Sequence, residues 1–539
     1  MSNSTVETSV GGDTLSQGTK SAPESALFIL TGDIYRHIPK THFYETLSRV
    51  LDLSFLYEMT KPLYAEKLGR PSLDPVVFFK CMLVAFFENI TYDTELEFRI
   101  ADSLLLRRFL GYALDERTPD ESTLRKTRQR MPEEAFGAVG EYVLDVCQEH
   151  GLLKGRALGT DSSQVDANAS MDSLRHKELG CSYEEFMLAL RRQDNPEATK
   201  SEAKEADRNR EGKASNADWE SSTDPEARIM QHADGHTHLS YKVDTTVDLE
   251  TGVIISTGAD LANVSDQTDC LERVDEAIDA LQKRGLDPEL VVADKGHHSG
   301  NNIVGIEERG LVPLVSSPNQ NRGRPGFERD DFSYDAEHDW LTCPAGQTLF
   351  RLGNKDVTRR HYKARGSVCM MCPNFGVCTT SRRGRVVSVS IHEDAIKANR
   401  ERVRSEEARP LMQIRRQRGE APFAYFKGFG GMRRMSGRGL SFVMKKTLTA
   451  SAGWNLLILV SALTKMASET VIPAVKRLLL ALWALTGAVL RLLWGCAPPA
   501  RRDERSRCAR RPFLLVVAQK RIYPAAARRR GWKPIVDNR

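Results

Sequence analysis

Aromatic residues are sparse in this sequence, 7% of 539 residues, and no stretch near its start joins a basic segment to an apolar one. The first 26 residues, rich in Ser, Thr and Gly, exclude a signal peptide there and read as a disordered leader. A clean membrane span is missing too. Residues 472–495 are the most membrane-like, but Lys476, Arg477 and Arg491 leave thirteen uncharged residues in a row. That is short of the ~20 needed to cross a bilayer. The expectation is a buried or partner-facing helix, no membrane partner and a cytoplasmic protein. Ten cysteines are too few for a disulfide scaffold in a chain this long. Leu, Ile, Val and Phe are all absent from residues 191–228, which cannot offset their ordering entropy by apolar burial. They read as part of a mobile insertion, residues 180–230.

What is present fits a multidomain globular protein, with 28% charged and 40% hydrophobic residues. The net charge of +5 hides an asymmetry: from Arg501 onward thirteen Lys and Arg face three Asp and Glu. Such a basic tail (466–539 with the apolar helix before it) suits a polyanionic partner, although a merely solvated tail has the same composition. Residues 27–150 read as a helical domain. The segments 78–90 and 102–114 carry apolar residues at helical spacing, and Asp120 or Ser122 can cap a basic helix that would suit DNA. From residue 155 the pattern changes to strand, hairpin (238–261, turning at Glu250–Gly252), helix (269–285), strand (289–296), helix and strand. That order specifies an α/β class with a mixed sheet, the order of RNase H-like nuclease folds.

Two carboxylates stand at the ends of strand-like runs: Asp161 after ALGT and Asp294 after ELVVA. If the strands are neighbours, both emerge at one sheet edge. A third, Glu420, lies between Arg416 and Lys427 at spacings of four and seven, which place all three on one helical face. Pro422 suits a first helical turn or a kink, and an ordinary surface ion-pair ladder has the same spacing. Phosphodiester cleavage needs a deprotonated attacking oxygen and a stabilised leaving oxygen, and paired hard cations held by a few carboxylates meet both demands.

The Arg, three residues, Glu, six residues, Lys spacing resembles the signature around the last acid of bacterial insertion-sequence DDE transposases. Gln413 stands where that pattern has a Tyr. The segments GTDSSQVDANAS and VVADKGHHSGNN are similar to the family's first-acid and second-acid segments, with His297 where an aromatic is common. GFGGMRRMSGRGLSFV resembles its basic Gly-rich continuation, and residues 74–130 resemble an InsH-type N-terminal domain. The resemblance implies an RNase H-like core in two parts, 151–335 and 386–465. Asp161, Asp294 and Glu420 would hold Mg²⁺ or Mn²⁺. Arg416, Lys427, Arg433 and Arg434 would contact DNA. The substrates would be double-stranded element ends and target DNA, joined in a synaptic homodimer. An inactive DNA-binding descendant, and a nuclease that cuts without joining, are the competing readings.

Four cysteines, Cys343, Cys369, Cys372 and Cys378, crowd into a stretch (336–385) that reads as a small Cys-rich insertion. Four thiolates suit a structural Zn²⁺, with His361 as a substitute ligand, while reduced thiols packing a subdomain are the alternative. His232, His236 and His238 read as solvent-facing or hairpin-packing rather than metal-binding. His297 and His298 stand beside Asp294.

Overall fold

The computed structural model describes residues 38–65, 71–208, 214–232, 235–318, 326–353 and 358–465. The leader, residues 472–495 and the basic tail lie outside them.

The helical part begins with α1 (Phe43–Val50), α2 (Phe55–Thr60), α3 (Pro75–Phe87), α4 (Asp93–Asp102), α5 (Leu104–Leu110), α6 (Glu121–Arg130) and α7 (Glu133–Glu149). Local chemistry sets the starts. Asp74 caps α3 by accepting from the Val76 and Val77 amides at 2.7 and 3.1 Å, with Pro75 in the first turn, where no amide is needed. Of the two candidate caps for α6, Asp120 is the one used, accepting from Thr123 N at 2.8 Å. Leu47, Leu56, Phe78, Leu83, Leu96, Ile100 and Leu124 fill the interior. That core runs on without a break into residues of the sheet domain as far as Val460.

The main sheet is built from β1 (Ala157–Asp166), β4 (Arg228–Gln231), β5 (Thr237–Asp248), β6 (Ile254–Leu261), β7 (Leu290–Ala293) and β8 (Val312–Val315). Its order is β6–β5–β1–β7–β8, with β4 pairing the start of β5. β1 runs antiparallel to β5 and parallel to β7, and β7 runs parallel to β8. The β5–β6 hairpin turns where the sequence placed it. Asp248 accepts from the Glu250 amide at 2.8 Å, and Gly252 takes a left-handed φ of 83°. One face of the sheet is covered by α10 (Asp266–Gln282), through Cys270, Val274, Ala277 and Leu281. The other face carries α14 (Ala408–Gly428) and α15 (Leu440–Lys465) through Phe423, Phe426 and Val443. α15 is apolar and long enough to cross a membrane, but half of its apolar window is buried against the sheet and α3.

Residues 180–230 contain more regular structure than their polar composition indicates. Helices α8 (Tyr183–Asp194) and α9 (Lys200–Arg208) pack beside the two-stranded β2 (Leu174–His176) and β3 (Trp219–Ser221). Trp219, in contact with His176, Tyr183 and Phe186, is the anchor, assisted by buried Ala198 and Ala203. One tryptophan and small alanines do the work the missing aliphatics would have done.

After α11 (Gly300–Glu308) and β8, a five-stranded antiparallel sheet spans β9 (Ser333–Asp335), β10 (Trp340–Thr342), β11 (Thr348–Leu352), β12 (Arg359–Lys363) and β13 (Val386–Ser390). The short α12 (Gly366–Met370) lies between β12 and β13, and Phe332, Leu341, Leu349 and Tyr362 form a separate small core. Then α13 (Glu393–Arg404) leads into α14.

Candidate active site

β1 does not end at Asp161; it continues to Asp166 because β5 pairs with it that far. β7, however, stops at Ala293, opposite Thr160. Asp161 and Asp294 are therefore the next residues on two adjacent parallel strands, at the edge where the shorter one stops. The structure brings these two together.

Their environments differ. Asp161 Oδ1 accepts from the Ser162 amide at 3.0 Å and pairs with Arg415 of α14 at 2.7 Å. Burial pushes the Asp161 carboxyl above its usual range and the neighbouring Asp294 adds to that, while the Arg415 guanidinium opposes both. At Asp294 burial also acts upward, but hydrogen bonds from His297 Nδ1 (2.9 Å) and the Gly296 amide (2.8 Å), with the Arg415 charge, outweigh it and bring the carboxyl down to about 2. His297 is buried, and its carbonyl accepts from Asn302 Nδ2 at 3.0 Å, so it is held as a brace behind Asp294. His298 lies 3.3 Å from Ser317.

The third expected carboxylate is placed differently. α14 is one continuous helix through Pro422, neither starting nor breaking there. Its buried residues are Ala408, Arg415, Gly419, Pro422, Phe423 and Phe426, and Glu420 and Arg416 are exposed. Gly419, on the buried stripe, faces the site: a Cβ added there would sit 3.4 Å from Asp161 Oδ2. Lys427 leans back onto β1 and donates to Ser163 Oγ at 2.7 Å. Burial lowers its pKa. Arg433 and Arg434 are exposed on a loop pinned by buried Met432 and Met435, where the Asp166 amide donates to Arg433 O at 3.3 Å.

Arg415 is the site residue that sequence reading missed. Its signal was available: it lies on the same stripe as Gly419, Phe423 and Phe426, and an arginine on a buried stripe requires an acidic partner.

Among the described residues, the carboxylates whose oxygens all lie within 4.8 Å of one another are Asp244, Asp260 and Asp269. They sit on the α10 side of the sheet with two cations among them. Lys242 Nζ contacts Asp269 and lies 3.6 Å from Asp244 and 3.7 Å from Asp266, and Arg273 pairs with Asp260 at 3.0 Å.

The four cysteines of the small sheet line one apolar cavity with Phe332, Leu349 and Phe375. Burial raises the Cys378 thiol, less the effect of Arg385, and the other three sulfurs push the same way. His361 is bonded to Ser388 Oγ at 2.7 Å on a neighbouring strand. His232 and His238 pack with their rings tilted and 4.6 Å apart beside Asp166, and His232 Nε2 reaches Ser240 Oγ at 2.8 Å, a hairpin-packing arrangement.

A cleft of about 800 Å³ separates the helical part from the loop into α15. Arg125 and Arg128 line one wall, Arg438 and Lys445 the other.

Two family models match the chain. Residues 32–130 match a transposase domain, and residues 342–460 match a transposase DDE domain. The second match contains Arg415, Glu420 and all four cysteines; Asp161 and Asp294 lie between the two matched segments. No curated protein matches the chain.

Proposed function

Since the chain belongs to the DDE transposases of insertion sequences, metal-dependent enzymes that cut and transfer DNA strands, we propose that Asp161, Asp294 and Glu420 carry its chemistry on an RNase H-like core. The juxtaposition of Asp161 and Asp294 at the end of β7 is the observation that carries this reading. The strand order supports it: apart from the short β4, three antiparallel neighbours (β1, β5 and β6) are followed by β7 and β8 running parallel to β1, with one acid on β1 and one just after β7.

The donor set fits a hard divalent cation, Mg²⁺ or Mn²⁺, because it is carboxylate oxygen on rigid elements. Bound there, the metal pair would activate the attacking oxygen and stabilise the leaving one. The chain's own residues do the positioning. His297 and the Gly296 amide fix one oxygen of Asp294. Arg415 neutralises Asp161 while no cation is present, so both carboxylates stay aligned. Glu420, exposed on α14 next to Gly419, would complete the carboxylate set that holds the metal.

Duplex DNA of the element ends and target would lie in the cleft lined by Arg125, Arg128, Arg438 and Lys445, with Arg416, Arg433 and Arg434 contacting phosphates. Lys427, bonded to Ser163, would reach DNA only by releasing that contact. Joining two ends calls for a synaptic homodimer, and a cytoplasmic location follows from the DNA substrate. The Cys343, Cys369, Cys372 and Cys378 cavity would hold a structural Zn²⁺. Elemental analysis should return one zinc per chain, falling to none in Cys372→Ser.

End cleavage and strand transfer on labelled element-end duplexes in Mg²⁺ test the main reading. Asp294→Ala should abolish both, and cleavage that survives the substitution would refute it. Cutting without joining by the wild type would favour a plain nuclease.

A further inference from the structure

We propose that Asp266, the first residue of α10, is a further metal-ligating carboxylate of this active site, converging with Asp294 on the gap beside Gly296. The assignment rests on the reading of Asp161 and Asp294 as metal ligands.

The gap is the first observation. A Cβ added at Gly296 would come within 2.7 Å of Asp266 Oδ2 and 3.0 Å of Asp294 Oδ1. Two carboxylates from different elements therefore face one cradle, which stays open because residue 296 has no side chain. Any larger residue there would fill the space between them.

The second observation is how Asp266 is held. Its other oxygen, Oδ1, accepts from Ser162 Oγ at 2.7 Å. The Ser162 amide donates to Asp161 Oδ1 at 3.0 Å. One serine on β1 thus bridges Asp161 and Asp266, fixing the first through its backbone and the second through its side chain. Ser265 caps α10 and sets the position from which Asp266 projects.

Charge and exposure separate Asp266 from its acidic neighbours. The Asp244 and Asp269 side chains are 3% and 7% exposed and close around Lys242, whereas Asp266 is 32% exposed, at the mouth of that cluster beside Asp294. Lys242 Nζ, 3.7 Å from Asp266 Oδ1, stands behind it and leaves Oδ2 turned toward Gly296. A hard cation at this gap would be held by carboxylates from the end of β7 and from the start of α10, two rigid elements.

Mn²⁺ binding to the full chain, followed by calorimetry and electron paramagnetic resonance without DNA, tests this apart from activity. Asp266→Asn keeps an acceptor for Ser162 and removes the charge. It should weaken Mn²⁺ binding by about tenfold or more while leaving the metal-free melting temperature near that of the wild type. Asp266→Glu should recover part of the loss, and Gly296→Ala should weaken binding by filling the cradle. Asp269→Asn, within the Lys242 cluster, should leave affinity intact. Unchanged affinity in Asp266→Asn overturns the assignment, as does an equal loss in Asp269→Asn. Retained binding in Asp294→Ala would overturn the underlying site as well; loss there with retention in Asp266→Asn overturns this assignment alone.

Discussion

At the scale of single residues, the buried charges are what sequence could not place. Asp294 was legible because a carboxylate after a short apolar run sits at a strand end; Asp161 follows such a run too, but lies inside β1, beside the end of β7. Lys242, Asp244 and Asp269 were not legible, because alternation along β5 says only that Lys242 and Asp244 share a face, and Asp269, on the helix covering that face, lies 27 residues beyond Lys242 in sequence. The group has a pH signature. Burial pushes the Asp244 carboxyl up to about 7, Lys242 opposing and Asp269 reinforcing. A folded-state value raised above the unfolded one means the folded state binds the proton more tightly. This contribution is whole below about pH 4 and is lost as pH rises through about 7. Asp244→Asn mimics the protonated form and lacks that loss. Its melting temperature relative to wild type should therefore become more favourable between pH 5 and pH 8. A difference that stays flat across that window would show that Asp244 does not titrate as its surroundings indicate.

At the scale of elements, α14 shows why helical spacing gives the shared face of Arg416, Glu420 and Lys427 but not the helix's buried face. Arg416, Glu420 and Lys427 do share a stripe, yet packing turns the adjacent stripe of Arg415, Gly419, Phe423 and Phe426 onto the sheet. Spacing gives relative angles; which stripe faces inward is decided by apolar area, and here the phenylalanines decide it. Pro422 gave a false boundary for the same reason: packing around it offsets the amide it lacks. Gly419 is costly in a helix interior, by roughly 1 kcal/mol against Ala, and a Cβ there would meet Asp161 Oδ2 at 3.4 Å, an ordinary van der Waals contact. Gly419→Ala should therefore gain stability without losing activity. The melting temperature should rise, and the cleavage rate should stay near that of the wild type because Asp161 need not shift. A falling rate at equal or higher stability would show that the reaction depends on the space between α14 and β1 at this residue.

At the scale of the whole molecule, the boundary near residue 150 is one of pattern rather than of packing. The change from helical to strand grammar is plain in the sequence, and each side taken alone reads as a domain. The structure joins them in one core. Leu47, Phe78 and Val139 belong to the same buried cluster as Val274, Val291 and Leu459. Phe86, at the end of α3, crosses to the other cluster and meets Phe426, and Gly453 of α15 leaves it room, since a Cβ there would lie 2.3 Å from the ring. A periodic pattern shows that a helix has an apolar face but not whose apolar face it meets, so this continuity was invisible until the chain was folded. It has a thermodynamic consequence. Separating the parts would expose apolar area at about 25 cal/mol per Å² on both sides, and neither would retain its cation-lined wall of the cleft in place. Calorimetry of the chain should therefore show the helical and sheet parts melting in one transition, and residues 38–150 expressed alone should lack a cooperative one. Two resolved transitions, or a fragment that melts sharply by itself, would show that the helical part folds first and docks afterwards, and the cleft between them would then be a movable interface rather than a fixed groove.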